Sequence, residues 1–275
     1  MKYLVVKITD IDAEQLEILT AMLPEFGLQG MEEFENSVTA YAKESECDVD
    51  LLHNYLKVTN LSYQISEIPE QNWNAQWESN FDPVIIPGKI HVRAHFHPHL
   101  DGFEHEITIT PKMSFGTGHH ATTSMMMRAM MDLNFQGKSV LDFGTGTGIL
   151  AILAALRGCD KVIAIDNDEW SINNTIENAQ MNQVSEQLDI RLADSLVNIP
   201  QSDIVLANIN KHVLIAHVNA IYTVLNPHGK LILSGLLDAD YEDIKTIYAP
   251  LFGTPIHVLK ENGWICIVFG NNNNS

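Results

Sequence analysis

The sequence predicts an α/β protein. It is expected to have a doubly wound, mainly parallel seven-stranded sheet, preceded by a small N-terminal α+β ferredoxin-like domain. Three observations predict this. From residue 139 onward, short apolar runs alternate with helical patterns, the order that builds a parallel sheet with helices on both faces. The first 66 residues read β-α-β-β-α-β, as in a split βαβ sandwich. A Pro- and Trp-bearing stretch, residues 67–90, separates the two.

In the N-terminal unit, residues 3–8 alternate as a strand. Residues 12–23 carry Ala13, Leu16, Leu19, Met22 and Leu23 at helical spacing and stop at Pro24 and Gly27. Residues 28–34 and 37–42 read as strands, 48–59 as a helix and 62–68 as a strand. This unit has four Lys, no Arg and twelve acids. In the linker, Trp73 and Trp77 share a face if helical and suit packing between domains. Residues 91–97 and 104–110 read as a hairpin around Asp101-Gly102. His95, His97 and His99 would then share one strand face; an exposed polar face is favoured over a metal site, since no companion ligand spacing is present.

The core domain spans 91–270. Strands are expected at 139–143, 161–165, 188–192, 203–207, 230–234, 256–259 and 264–269, and helices at 149–156, 170–181, 213–225 and 240–248. The last two strands, joined by Glu261-Asn262-Gly263, would make one edge antiparallel. Residues 271–275 read as a disordered tail.

Composition narrows the function. The 275 residues are 45% hydrophobic and 19% charged, an ordinary globular balance. The net charge of −19 argues against a nucleic-acid binder that neutralises phosphates and suits a basic protein partner or a small molecule. Three scattered cysteines, Cys47, Cys159 and Cys266, argue against a disulfide framework and a structural zinc site. No signal peptide and no run of about 18 apolar residues is found. A cytoplasmic protein without membrane contact is expected, with no resident metal; a monomer is compatible with the residues.

The strongest local motif is Asp142-Phe143-Gly144-Thr145-Gly146-Thr147-Gly148, where a strand ends in a turn and a helix follows. Glycines there let the chain turn sharply and a ligand approach its backbone. The dinucleotide fingerprint fails, because its sixth place is Ile149. Asp166 closes the next strand, 22 residues after Gly144, and can accept hydrogen bonds from both ribose hydroxyls; it would also serve as a helix cap. Asn208 ends the fourth strand, at the carboxyl edge where such sheets bind ligands, and its side-chain carbonyl is an acceptor.

The glycine turn resembles the first motif of S-adenosylmethionine-dependent methyltransferases. Taken with Phe115-Gly116-Thr117-Gly118-His119-His120-Ala121-Thr122-Thr123 and residues 206–209, the whole chain resembles the ribosomal protein L11 methyltransferase (PrmA) family. The resemblance implies methyl transfer from S-adenosyl-L-methionine to lysine side-chain and N-terminal amines of ribosomal protein L11. It implies cofactor contacts at Thr123, Gly144, Gly146, Asp166 and Asn208, and a lid at 115–119 hinged at Gly116 and Gly118. Thr123 also fits as an N-cap for a helix over 125–131, a role compatible with binding. Amino methyltransferases often carry Asn-Pro-Pro-Tyr where this chain has Asn208-Ile209-Asn210-Lys211, so only the Asn carbonyl is retained. The acidic N-terminal unit would recognise the basic substrate protein. No catalytic base is assigned; His119 and His120 read as loop residues rather than a proton relay. A methyltransferase for RNA or a small molecule, and a non-enzymatic scaffold, are the competing readings.

Overall fold

The computed structural model describes residues 2–28, 30–34, 36–59, 61–69, 82–110 and 116–270. Trp73, Trp77, Phe115 and the tail at 271–275 lie outside them. The chain divides into two units, Met1–Phe81 and Asp82–Ser275. Strand pairing continues to Pro69 in the first unit and resumes at Val84 in the second, within the stretch 67–90 read as a linker.

The first unit runs β1 (Lys2–Thr9), α1 (Ala13–Met22), β2 (Gly30–Phe34), β3 (Ser37–Lys43), α2 (Val49–Val58) and β4 (Ser62–Pro69). Its sheet has the order β2-β3-β1-β4, antiparallel throughout. Helix α1 starts at a reciprocal cap: Asp12 accepts from the Gln15 amide at 2.8 Å, and the Gln15 side chain accepts from the Asp12 amide at 2.9 Å. Val6, Ile8, Leu19, Leu23, Val38, Leu52 and Leu56 form a core of its own, the condition for a separate domain.

The second unit opens with β5 (Val84–Ile86), β6 (Ile90–Ala94) and β7 (His105–Ile109) in a three-stranded sheet. Here the structure corrects the sequence reading. Strands β6 and β7 pair in parallel, so residues 95–104 are a crossover and not a hairpin turn. The hairpin partner of β6 is β5, joined through a turn in which the Lys89 amide donates to the Ile86 carbonyl at 2.9 Å. Strand β6 stops at Ala94 because the chain turns there: the His97 amide donates to the Ala94 carbonyl, and the Ala94 amide donates to His97 Nδ1. His95, His97 and His99 therefore share no strand face. His99 pairs with Glu106 and Asp101.

The remainder is α3 (Ala121–Met131), β8 (Ser139–Phe143), α4 (Ile149–Leu156), β9 (Lys161–Asp166), α5 (Glu169–Met181), β10 (Leu188–Leu192), β11 (Ser202–Asn208), α6 (Lys211–Val224), β12 (Leu225–Leu237), α7 (Tyr241–Phe252), β13 (His257–Glu261) and β14 (Trp264–Gly270). The seven-stranded order is β10-β9-β8-β11-β12-β14-β13. All neighbours are parallel except β14, which is antiparallel to both β12 and β13. Helix α7 passes the expected end at residue 248 and includes Pro250, whose missing N–H costs the last turn one intrahelical bond. Leu141, Ile165, Val205, Leu231, Tyr248, Phe252 and Phe269 are buried in one apolar core. Among the described residues no helix is long and apolar enough to cross a membrane.

This order fixes where a ligand can sit. From β8 the chain winds outward through β9 and β10, then returns to the other side of β8 with β11. The crevice at the carboxyl ends of β8 and β11 is the switch point where open α/β sheets bind ligands.

Candidate active site

The glycine turn fills one side of that crevice. Gly144, Gly146 and Gly148 have φ of 78°, 58° and 80°, the left-handed region open to glycine at little cost. The amides of Gly144 and Thr145 both donate to the Ile165 carbonyl, at 2.9 and 3.0 Å, which ties the turn to β9. Space is equally limiting at Gly144: a Cβ there would lie 2.2 Å from Ile209 Cγ2.

Asp166 ends β9 beside the turn. Its Oδ2 accepts from the Gly146 amide at 2.9 Å and its Oδ1 from the Asp168 amide at 3.1 Å. It is not the helix cap; Asp168 takes that role for α5, accepting from the amides of Trp170 and Ser171. A carboxylate has about four acceptor positions, so two bonds leave room for a diol.

Asn208 ends β11 across the crevice and is buried. Its Nδ2 donates to Thr123 Oγ1 at 3.2 Å, while Oδ1 has no hydrogen-bond partner among the described residues. Thr123 is the third residue of α3 and fully buried. The N-cap reading for it is overturned: His120 caps this helix, its Nδ1 accepting from the Thr122 amide at 3.3 Å. His119 is turned elsewhere, its Nε2 donating to the Asp82 carbonyl at 2.6 Å.

Gly144, Gly146, Asp166 and Asn208 all line one cavity of about 640 Å³, within the roughly 300–1,000 Å³ of small-molecule sites. Thr123 stands behind Asn208; its neighbour Thr122 reaches the wall. His120, Asp194, His217, Gly235 and Trp264 also contribute. Sequence reasoning did not single out the last four. Asp194 had a usable signal, since it follows the carboxyl end of β10. Trp264 had none: it reaches the site because β14 inserts beside β12, and it packs edge-on against His120 with ring centroids 4.7 Å apart.

Beneath the turn, Asp142 is fully buried. Burial, with the negative charge of Asp166 adding to it, pushes its carboxyl up to about 7, although Thr145 Oγ1 donates to its Oδ2 at 2.7 Å. Among the described residues no cluster of His, Cys, Asp or Glu could hold a metal ion.

A glycine cradle, a carboxylate at the next strand tip and an unpaired amide carbonyl opposite suit a nucleoside-bearing donor and a hydrogen-bonding acceptor. Comparison with known proteins shows the family. The family model of ribosomal protein L11 methyltransferase (PrmA) matches residues 5–272. A ribosomal protein L11 methyltransferase of Porphyromonas gingivalis is 40% identical over 262 residues, covering 92% of this chain and 90% of its own. One from Phocaeicola vulgatus is 33% identical over 279 residues, covering 98% and 99%. The crystal structure of ribosomal protein L11 methylase from Lactobacillus delbrueckii subsp. bulgaricus superposes with a TM-score of 0.63 at 23% identity, covering 69% of this chain and 98% of that one, a likeness of fold. The chain therefore belongs to the ribosomal protein L11 methyltransferase family.

Proposed function

We propose that this protein transfers methyl groups from S-adenosyl-L-methionine to lysine side-chain and N-terminal amino groups of ribosomal protein L11, acting in the cytoplasm. The observation that carries the reading is the pairing of Asp166 with the glycine turn on one wall of the cavity and, on another, the Asn208 carbonyl, which has no partner among the described residues.

The residues present fit the donor. Asp166 has acceptor capacity for a ribose diol, and Gly144 and Gly146 offer backbone without side chains. Asp194 offers a second carboxylate in the same cavity, suited to an exocyclic amine. Thr123 acts through Asn208, holding its amide. When bound, the sulfonium supplies an electrophilic methyl group.

What remains for the chain is to present a neutral amine. A lysine with its ordinary pKa near 10.4 is almost wholly protonated at pH 7. Asn208 accepts an N–H without carrying charge, so it orients the amine and leaves its pKa unraised, where a carboxylate would favour the ammonium. Alignment of the nitrogen with the methyl group then supplies much of the acceleration. The acidic N-terminal unit, with four Lys against twelve acids, suits capture of a basic ribosomal protein. The same acidity disfavours RNA as the substrate.

The test is incubation with methyl-labelled S-adenosylmethionine and, separately, L11, ribosomal RNA or buffer, followed by mass spectrometry of the product. Label on L11 amines is expected. Label on RNA, or none on L11 with protein that binds the donor, would reject the assignment.

A further inference from the structure

Helix α5 carries asparagine at 174 and 178, and Asn182 is its C-cap residue. Four residues advance a helix about 6 Å, close to the roughly 6.6 Å that two residues advance a strand. Side chains four apart on a helix can therefore meet every second residue of a strand edge. Strand β7 lies at the edge of its sheet, and the chain from it meets α5 in this way. Asn182 accepts from the Thr108 amide at 2.8 Å and donates to the Thr108 carbonyl at 2.6 Å. Asn178 accepts from the Thr110 amide at 2.8 Å, and Asn174 donates to the Thr110 carbonyl at 3.3 Å. Side-chain amides stand in for the missing strand.

Asn178 does one thing more. Its Nδ2 donates to the Thr147 carbonyl at 2.8 Å, inside the glycine turn. One helical turn's reach away, Thr175 Oγ1 donates to the Gly146 carbonyl at 2.9 Å. Two successive peptide planes of the turn are thus anchored to α5. Because a trans peptide directs its C=O and N–H oppositely, anchoring these carbonyls fixes where the following amides point. Both side chains are fully buried, and neither lines the cavity.

We propose that Asn178, seconded by Thr175, is a positioning residue for the cofactor: it clamps the glycine turn to the end of β7 and holds the turn in its binding conformation. The inference rests on the donor site proposed above. Asn182 is the natural control, because it makes the same kind of bonds to β7 and none to the turn.

The experiment compares Asn178→Asp with Asn182→Asp in the full chain. Each variant keeps an oxygen for the strand amide and sets a carboxylate oxygen against carbonyls, that of Thr147 at 178 and those of Thr108 and Asn178 at 182; only at 178 does the carbonyl belong to the turn. Affinity for S-adenosylhomocysteine is read by calorimetry, with the melting temperature alongside. Asn178→Asp should weaken binding roughly tenfold or more and Asn182→Asp by less than about threefold, as expected for one misplaced buried bond. Equal weakening in both, or undiminished affinity in Asn178→Asp, overturns the clamp while the donor site stands. Absence of binding by the wild-type chain overturns both. Should Asn178→Asp not fold, Thr175→Val is compared with Thr175→Ser: loss in the first with rescue in the second supports the clamp, and no difference rejects it.

Discussion

Asn208 and Thr123, 85 residues apart, meet side chain to side chain: the Asn208 Nδ2 donates to Thr123 Oγ1 at 3.2 Å. With the amide nitrogen so engaged, the end without a partner among the described residues is the carbonyl oxygen. Asn208→Ala should lower kcat about 100-fold or more, as when one preorganised polar contact is removed from an active site. Asn208→Asp keeps an acceptor but adds charge, which stabilises the ammonium form of the substrate. Its rate should therefore rise with pH over a higher range than wild type. An unshifted profile in steady-state assays would remove Asn208 from the amine's surroundings.

Asp166 makes two bonds to backbone amides that do not use its full acceptor capacity. Replacing it with Ala should weaken S-adenosylhomocysteine binding by roughly 100-fold, the worth of one or two charge-assisted hydrogen bonds. Asp166→Asn should fall between, since one oxygen remains. Calorimetric titration measures both; wild-type affinity in the Ala variant would place the ribose elsewhere.

The parts of the site legible in the sequence are those set by local chemistry at strand tips. Gly144, Gly146, Asp166 and Asn208 each follow an unmistakable apolar strand, and in a parallel sheet every such tip faces the same edge. What was not legible depends on strand order. Trp264 reaches the cavity because β14 lies beside β12, a long-range pairing with no local signal. The parallel pairing of β6 with β7 was hidden by Asp101-Gly102, a strong hairpin signal used here within a crossover. The side chains that complete the edge of β7 lie on α5 and its C-cap, some 70 residues downstream.

Gly144 combines a left-handed backbone with contact against Ile209. Gly144→Ala should cost about 2–3 kcal/mol, part from the backbone and part from overpacking. The separation is testable by a double-mutant cycle. In an Ile209→Ala background the steric part disappears and the conformational part remains, so Gly144→Ala should cost less there than in wild type. Denaturant unfolding gives the four free energies. Equal costs in both backgrounds would show that Ile209 does not limit this position.

Asp142 makes stability depend on pH in a direction opposite to most carboxylates. Its ordinary value of 3.8 is raised to about 7 in the fold, mainly by burial. The contribution it makes to folding is thus fully present below the unfolded value and is lost as pH rises through about 7. An amide at this position cannot ionise, yet its oxygen can still accept from Thr145 Oγ1. Asn in place of Asp142 should therefore gain on wild type between pH 5 and pH 8, whatever its absolute stability, and the difference in melting temperature should level off above pH 8. Asp166 supplies part of the upward push, so Asp166→Asn should move the transition toward lower pH. Melting curves of wild type and Asp142→Asn that stay parallel across this range would mean that Asp142 is ionised throughout.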